Sequence, residues 1–124
     1  REALDRYGPP DLLLNNADRK GSHVFFENGT RKLYAIDHGI CFHEHDKLRS
    51  VIWDFAGQPK PPELLADIET FRAALFTPDL ASRLEQYLTP GEMTSLDARA
   101  AALMASGVFP LPPKDRRAFP YPPL

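Results

Sequence analysis

An α+β fold is predicted for this chain, with a β-hairpin in its first half and helices in its second. Two β-rich runs flank Asn28-Gly29, a pair that strongly favours a hairpin. Apolar residues recur at helical spacing between residues 62 and 106, and prolines crowd the segment after them. The 124 residues, 43% hydrophobic and 26% charged, suit one globular domain at 1–124.

The first half is predicted to contain a short helix over Asp11–Asn16, a polar loop, and strands over His23–Glu27 and Lys32–Ile36. Both residues of Asn28-Gly29 tolerate positive φ, so we expect the chain to reverse there. Asp37 follows the second strand directly and is therefore expected at the mouth of the hairpin.

Four helices are predicted in the second half. The first covers Asp46–Phe55, where Leu48, Ile52 and Phe55 recur at helical spacing, and is ended by Gly57. The second and third begin at Pro61-Pro62 and at Thr77-Pro78, where Thr77 is the N-cap. The fourth follows the capping box Thr89-Pro90-Gly91-Glu92 and runs to about Ser106. Predicted apolar faces comprise Leu64, Leu65, Ile68, Phe71, Ala74 and Leu75 in the second helix, and Leu80, Leu84, Tyr87 and Leu88 in the third.

The proline-rich tail, residues 108–124, is predicted to lie extended on the domain surface, because its prolines exclude a helix or a central strand. A polyproline ligand for another protein is the alternative.

Charge and composition exclude several classes of protein. A net charge of −2 provides no basic surface for nucleic acid or for an anionic membrane, so we expect neither partner. No apolar run approaches the roughly 18–20 residues of a membrane span. The single cysteine, Cys41, excludes an internal disulfide and fits a cytoplasmic location, and we interpret it as a small buried hydrophobe. Because the chain begins with Arg1, the sequence leaves open whether a signal or a domain lies upstream.

Two carboxylates are expected to converge at the hairpin mouth. Asp18 lies in the polar loop before the first strand, and Asp37 follows the second. Hard oxygen ligands of this kind suit Mg²⁺, and phosphoryl transfer uses one Asp for the acceptor hydroxyl and another for the metal. Arg19 and Lys20 could offset phosphoryl charge. Taken alone, the pattern fits solvated loop carboxylates better than a metal site.

Two motifs carry a family resemblance. The segment Asn16-Ala17-Asp18-Arg19-Lys20-Gly21-Ser22-His23 resembles the Asp-Arg-x-x-x-Asn catalytic loop of phosphatidylinositol 3-/4-kinase-like proteins, especially type II phosphatidylinositol 4-kinases. Tyr34-Ala35-Ile36-Asp37-His38-Gly39-Ile40-Cys41-Phe42 resembles their Ala-Ile-Asp-Asn-Gly-x-x-Phe segment. Essentially the whole chain also resembles the C-terminal half of an uncharacterised actinobacterial-type family related to these kinases.

The resemblance implies a protein-kinase-like C-lobe that transfers phosphate from ATP with Mg²⁺ to an unknown acceptor. It implies that Asp18 is the catalytic residue and that Asp37 binds the metal. Arg19 and Lys20, beside Asp18, are predicted to contact the cofactor. His23 is either a modified second metal ligand, or the site binds its metal differently, or activity is lost. His23 stands where the wider superfamily has Asn, and imidazole prefers softer ions than Mg²⁺.

The chain contains no Gly-rich loop and no strand lysine before the catalytic loop, so we expect an N-terminal lobe to come from the same protein or from another chain. One alternative is a pseudokinase, that is, a nucleotide-binding or scaffold module without turnover, and His23 motivates it. Another is a metal-dependent hydrolase that uses Asp37, His38, His43 and His45.

Overall fold

A short helix and a hairpin precede three further helices in the computed structural model, which describes residues 8–124. The first seven residues, part of the predicted domain, lie outside this description. The elements are α1 (Gly8–Leu14), β1 (Val24–Glu27), β2 (Lys32–Ala35), α2 (Pro62–Leu75), α3 (Pro78–Leu84) and α4 (Pro90–Ala105). The predicted α+β class, with a two-stranded hairpin followed by helices, is confirmed.

Strands β1 and β2 pair antiparallel, with Phe25 opposite Tyr34 and Glu27 opposite Lys32. Four residues, 28–31, therefore connect the strands. The hairpin is confirmed, but the positive φ in this connection, 57°, belongs to Arg31 and not to the Asn-Gly pair. A longer connection moves the left-handed residue to its end, next to the second strand.

Each of α2, α3 and α4 begins with proline, as predicted. Proline is well suited to a first helical position, because the N–H it lacks has no partner there. Thr89 caps α4, where its Oγ1 accepts a hydrogen bond of 3.1 Å from the backbone N–H of Glu92. Thr77 occupies the same position before α3, but its hydroxyl donates to the Ala74 carbonyl instead.

The hydrophobic core lies between α2 and α4, where Leu75, Met93 and Leu96 are buried. The predicted apolar face of α2 is confirmed by the burial of Ile68 and Leu75. The face predicted for the third helix is wrong at Tyr87, which is exposed. Because α3 ends at Leu84, helical spacing no longer governs where Tyr87 lies. Side chains packed around this core are Leu13, Leu14, Phe42, Phe71, Leu84 and Leu88.

The predicted helix over Asp46–Phe55 is wrong, since that stretch contains no helix. Its backbone bonds to distant segments: the Arg49 N–H donates to the Asn16 carbonyl at 2.9 Å, and the Ser50 N–H donates to the Ala118 carbonyl at 3.0 Å. Leu48 and Phe55 are nevertheless buried. The spacing of these residues therefore predicted correctly that their side chains are buried. It did not predict the backbone, whose N–H groups bond to distant carbonyls and not within a helix.

The tail after Val108 contains no helix or strand and runs along the domain. Phe109 is buried, with its ring centroid 6.3 Å from that of Phe55. The Ala118 carbonyl accepts a hydrogen bond from the Trp53 indole at 3.2 Å, and the Pro123 carbonyl accepts one from the Gly21 N–H at 2.9 Å. The tail is therefore fastened to the loops of the first half.

A buried lysine caps the C-terminal end of α4. The Lys60 ammonium donates to the carbonyls of Leu103 and Ser106, each at 2.7 Å. Burial lowers the pKa of Lys60, because the charged form loses water. These bonds satisfy carbonyls that a helix end leaves without partners.

Within residues 8–124 no helix has both the length and the apolar character needed to cross a membrane.

Candidate functional site

A buried ion pair lies beneath the predicted catalytic loop. The Arg19 guanidinium donates from Nε to Asp11 Oδ2 at 2.8 Å and from Nη2 to Asp11 Oδ1 at 2.9 Å. Its Nη1 donates to the Ile36 carbonyl at 2.7 Å, one residue before Asp37. Arg19 therefore joins α1, the loop and the end of the hairpin.

Arg19 is predicted to contact a cofactor, but the structure gives it a different environment. Its side chain is 1% exposed, and the guanidinium is bonded to the carboxylate of Asp11 and to the Ile36 carbonyl. In this arrangement Arg19 holds the loop in place, and its guanidinium is not accessible to a phosphate in solution.

Asn16 shapes the loop that carries Asp18. Its side-chain N–H donates to Asp11 Oδ1 at 3.1 Å, and its side-chain oxygen accepts the Asp18 backbone N–H at 3.0 Å. Asn16 is itself buried, so this pair of bonds fixes the backbone at Asp18.

Asn15 organises the segment after the hairpin, a role that was not predicted from the sequence. Its φ is 58°, and its side-chain N–H groups donate to the carbonyls of His43 at 2.9 Å and His45 at 2.7 Å. Its side-chain oxygen accepts the Lys47 N–H at 2.9 Å. The available signal was an asparagine directly after an apolar helix, where a left-handed residue is common.

Asp18 lies at the surface of the loop, half-buried, with its Oδ1 3.8 Å from Lys20 Nζ. The adjacent Ala17 N–H donates to the Ile40 carbonyl at 2.9 Å. The loop that carries Asp18 is thereby bonded to the segment that follows Asp37.

His23 and Asp37, the two predicted metal ligands, lie side by side. His23 Nε2 is 3.4 Å from Asp37 Oδ2, and the Ile36 N–H donates to the His23 carbonyl at 2.9 Å. The His23 side chain is 14% exposed, whereas that of Asp37 is 58% exposed, and His23 Nδ1 is buried without a partner. Asp37 has a φ of 59°. An exposed carboxylate is thus held beside a largely buried imidazole.

Asp37 offers the kind of ligand that a hydrated magnesium ion takes, whereas the His23 imidazole suits softer ions. Residues 8–124 contain no group of three His, Cys, Asp or Glu side chains placed to hold a metal. Mg²⁺ keeps several waters and commonly takes only one or two protein carboxylates plus phosphate oxygens. Asp37 can supply such a carboxylate.

The four residues of the alternative hydrolase site are not gathered into a metal centre in the described part of the chain. The rings of His43 and His45 are 5.6 Å apart between centroids. His43 Nδ1 accepts the backbone N–H of His45 at 3.0 Å, a bond that shapes the local turn.

A cavity of about 610 Å³ adjoins the segments around both aspartates. Ala17 and Gly39, neighbours of Asp18 and Asp37, contribute to its wall together with Cys41. Burial, followed by the charge of Asp11, raises the pKa of the Cys41 thiol to about 11. Cys41 is only partly buried, so its interpretation as a small buried hydrophobe is confirmed in part. The remaining wall comprises Ile40, His43, Glu44, His45, Lys47, Thr89 and Glu92.

Comparison with known proteins found Protein Rv2133c of Mycobacterium tuberculosis, which is 38% identical over 119 residues. This chain is a homologue of Rv2133c. The match covers 96% of the chain but 42% of Rv2133c, so the chain spans less than half of that relative. No protein-family model matches the chain, and no solved structure does.

Proposed function

We propose that this chain forms the catalytic lobe of an ATP- and Mg²⁺-dependent phosphotransferase with an unassigned acceptor. The observation that supports this most directly is the placement of Asp37 beside His23 at the hairpin mouth. The backbone bond from Ala17 to Ile40 adds the Asp18 loop to the same region. The order and spacing of two kinase-like motifs agree with this geometry.

Each residue takes a distinct role in the proposal. Asp18 orients the acceptor hydroxyl and receives its proton, and Lys20, 3.8 Å from that carboxylate, offsets phosphoryl charge. Asp37, assisted by His23, holds the metal, which when bound neutralises charge on the phosphates. Arg19 acts as a positioning residue through Asp11 and Ile36.

The proposal requires a nucleotide-binding segment from elsewhere, because this sequence contains no Gly-rich loop. More than half of Rv2133c lies outside the matched region, which leaves room for such a segment in a homologue. In the proposal, that segment belongs to the same polypeptide.

The deciding experiment measures Mg²⁺-dependent ATP binding and turnover by the full-length protein, beside the 124-residue chain alone. We expect the full-length protein to bind and turn over ATP and the isolated chain to do neither. Asp37→Asn should lower turnover roughly a hundredfold or more, since it weakens the charge that holds the metal. Asp67→Asn, at an exposed position on α2, is the matched control. Unchanged turnover in Asp37→Asn would contradict the assignment.

His23 favours one second function, a nucleotide-binding or scaffold module without turnover. It occupies the position where the resembling kinases carry a metal-binding Asn. Nucleotide binding with no product under any divalent cation would select this function over catalysis.

A further inference from the structure

The β-hairpin presents large apolar side chains that the described residues leave partly uncovered. Phe25 and Tyr34 lie opposite each other and are 51% and 49% exposed, and Ile36 on the same face is 46% exposed. On the other face Phe26 is 51% exposed. Because side chains alternate along a strand, both faces of the hairpin expose an aromatic ring.

A hairpin of this kind gains little stability from its own strands. A two-stranded sheet is marginal in water unless a helix or further strands cover a face. The buried core, around Leu75, Met93 and Leu96, lies between α2 and α4 instead. The Arg19 bond to the Ile36 carbonyl anchors only the base of the hairpin. Its apolar faces therefore form a surface that would gain from a partner.

We propose that the Phe25–Tyr34–Ile36 face is the docking surface for polypeptide of the same protein that lies outside residues 1–124. The length of Rv2133c motivates this occupant, because 58% of that homologue lies beyond the matched region. This inference holds for a scaffold as well as for an enzyme, so it does not depend on phosphate transfer.

The chemistry of the face defines what the docking segment must offer. At the turn end Glu27 lies opposite Lys32, so opposite charges face each other across the strands. Phe25, Tyr34 and Ile36 then form a continuous apolar stretch towards the hairpin base. A segment with an apolar face complements this surface. The docked segment would end beside His23 and Asp37, since they lie at the base.

The test compares tyrosine modification in the complete polypeptide and in the 124-residue chain. N-acetylimidazole labelling read by mass spectrometry reports Tyr34, while Tyr87 and Tyr121, 82% and 80% exposed, serve as internal controls. We expect Tyr34 labelling to be roughly tenfold slower in the complete polypeptide, with the two control rates unchanged. Phe25→Ser in the complete polypeptide should restore Tyr34 labelling, whereas Phe119→Ser, in the exposed part of the tail, should not.

Two results would overturn the inference. Equal Tyr34 labelling in both proteins would show that nothing covers this face. Protection already present in the 124-residue chain, and rising with its concentration, would assign the face to a second copy of the chain instead.

Discussion

Asp11 and Arg19 form a doubly hydrogen-bonded ion pair in the protein interior, with distances of 2.8 and 2.9 Å and side-chain exposures of 3% and 1%. The pair connects α1 to the loop that carries Asp18. Arg19 also bonds the Ile36 carbonyl, so one guanidinium sets the distance between the two halves of the candidate site.

Removal of one partner from this pair should destabilise the protein strongly. Asp11→Ala leaves the Arg19 guanidinium buried without its carboxylate, and we expect a loss of about 3–5 kcal/mol in the free energy of unfolding. Urea denaturation at pH 7 measures this loss in the free energy of unfolding. Arg72→Ala breaks an ion pair of the same 2.8 Å length to Asp97 at the surface and should cost far less. Similar losses for both variants would contradict the interior role of Asp11.

Local signals predicted most of the fold. Proline at the first helical position placed the starts of α2, α3 and α4 correctly. A threonine before that proline marked the starts of α3 and α4 as well. The stretch around Arg49 was predicted wrongly, because helical spacing of Leu48 and Phe55 also arises in an irregular segment buried by distant neighbours. Its hydrogen-bond partners, Asn16 and Ala118, are far away in sequence, so no local pattern could reveal them.

The position of Asp37 after the second strand of the hairpin was predictable, but the surroundings of the candidate residues were not. Asp37 and His23 come together as a hairpin requires. The burial of Arg19 was not predictable, because its partner Asp11 is assigned by packing of α1 and not by any motif. Nor did the sequence indicate that Asn15 would organise the segment from His43 to Lys47.

The two threonine caps should differ in their contributions to stability. Thr89→Ala removes the hydroxyl that accepts the Glu92 N–H, and we expect a loss of about 1 kcal/mol in the free energy of unfolding. Thr77→Ala is the matched control, because that hydroxyl makes no cap bond. Thermal denaturation of both variants measures the difference. Equal losses would show that the cap bond of Thr89 contributes nothing beyond general threonine effects.

Reactivity of Cys41 should depend on pH in a way that separates the folded from the unfolded chain. Burial raises the thiol pKa from 9.0 to about 11, so the folded chain should react slowly with iodoacetamide at pH 8 to 9, with a midpoint near pH 11. The chain in urea should show a midpoint near 9. Because folding favours the protonated thiol, this contribution to stability is complete below pH 9 and is lost as the pH rises through 11. Cys41 is the single cysteine, so total alkylation reports it directly. Rapid alkylation of the folded chain at pH 8 would refute the assignment.

Substitution of His23 by Asn should reveal how the metal is held. If His23 is a ligand, His23→Asn exchanges an imidazole nitrogen for a harder amide oxygen. The ratio of the site's affinity for Mg²⁺ to its affinity for Zn²⁺ should then rise by about tenfold. Competition between the two ions during ATP turnover by the full-length protein measures this. His38→Asn, at an exposed position next to Asp37, is the control and should leave the preference unchanged. The variant could instead lose Mg²⁺ binding while its Zn²⁺ binding is unaltered. That result would show that His23 is not a ligand and that it orients Asp37 across their 3.4 Å contact.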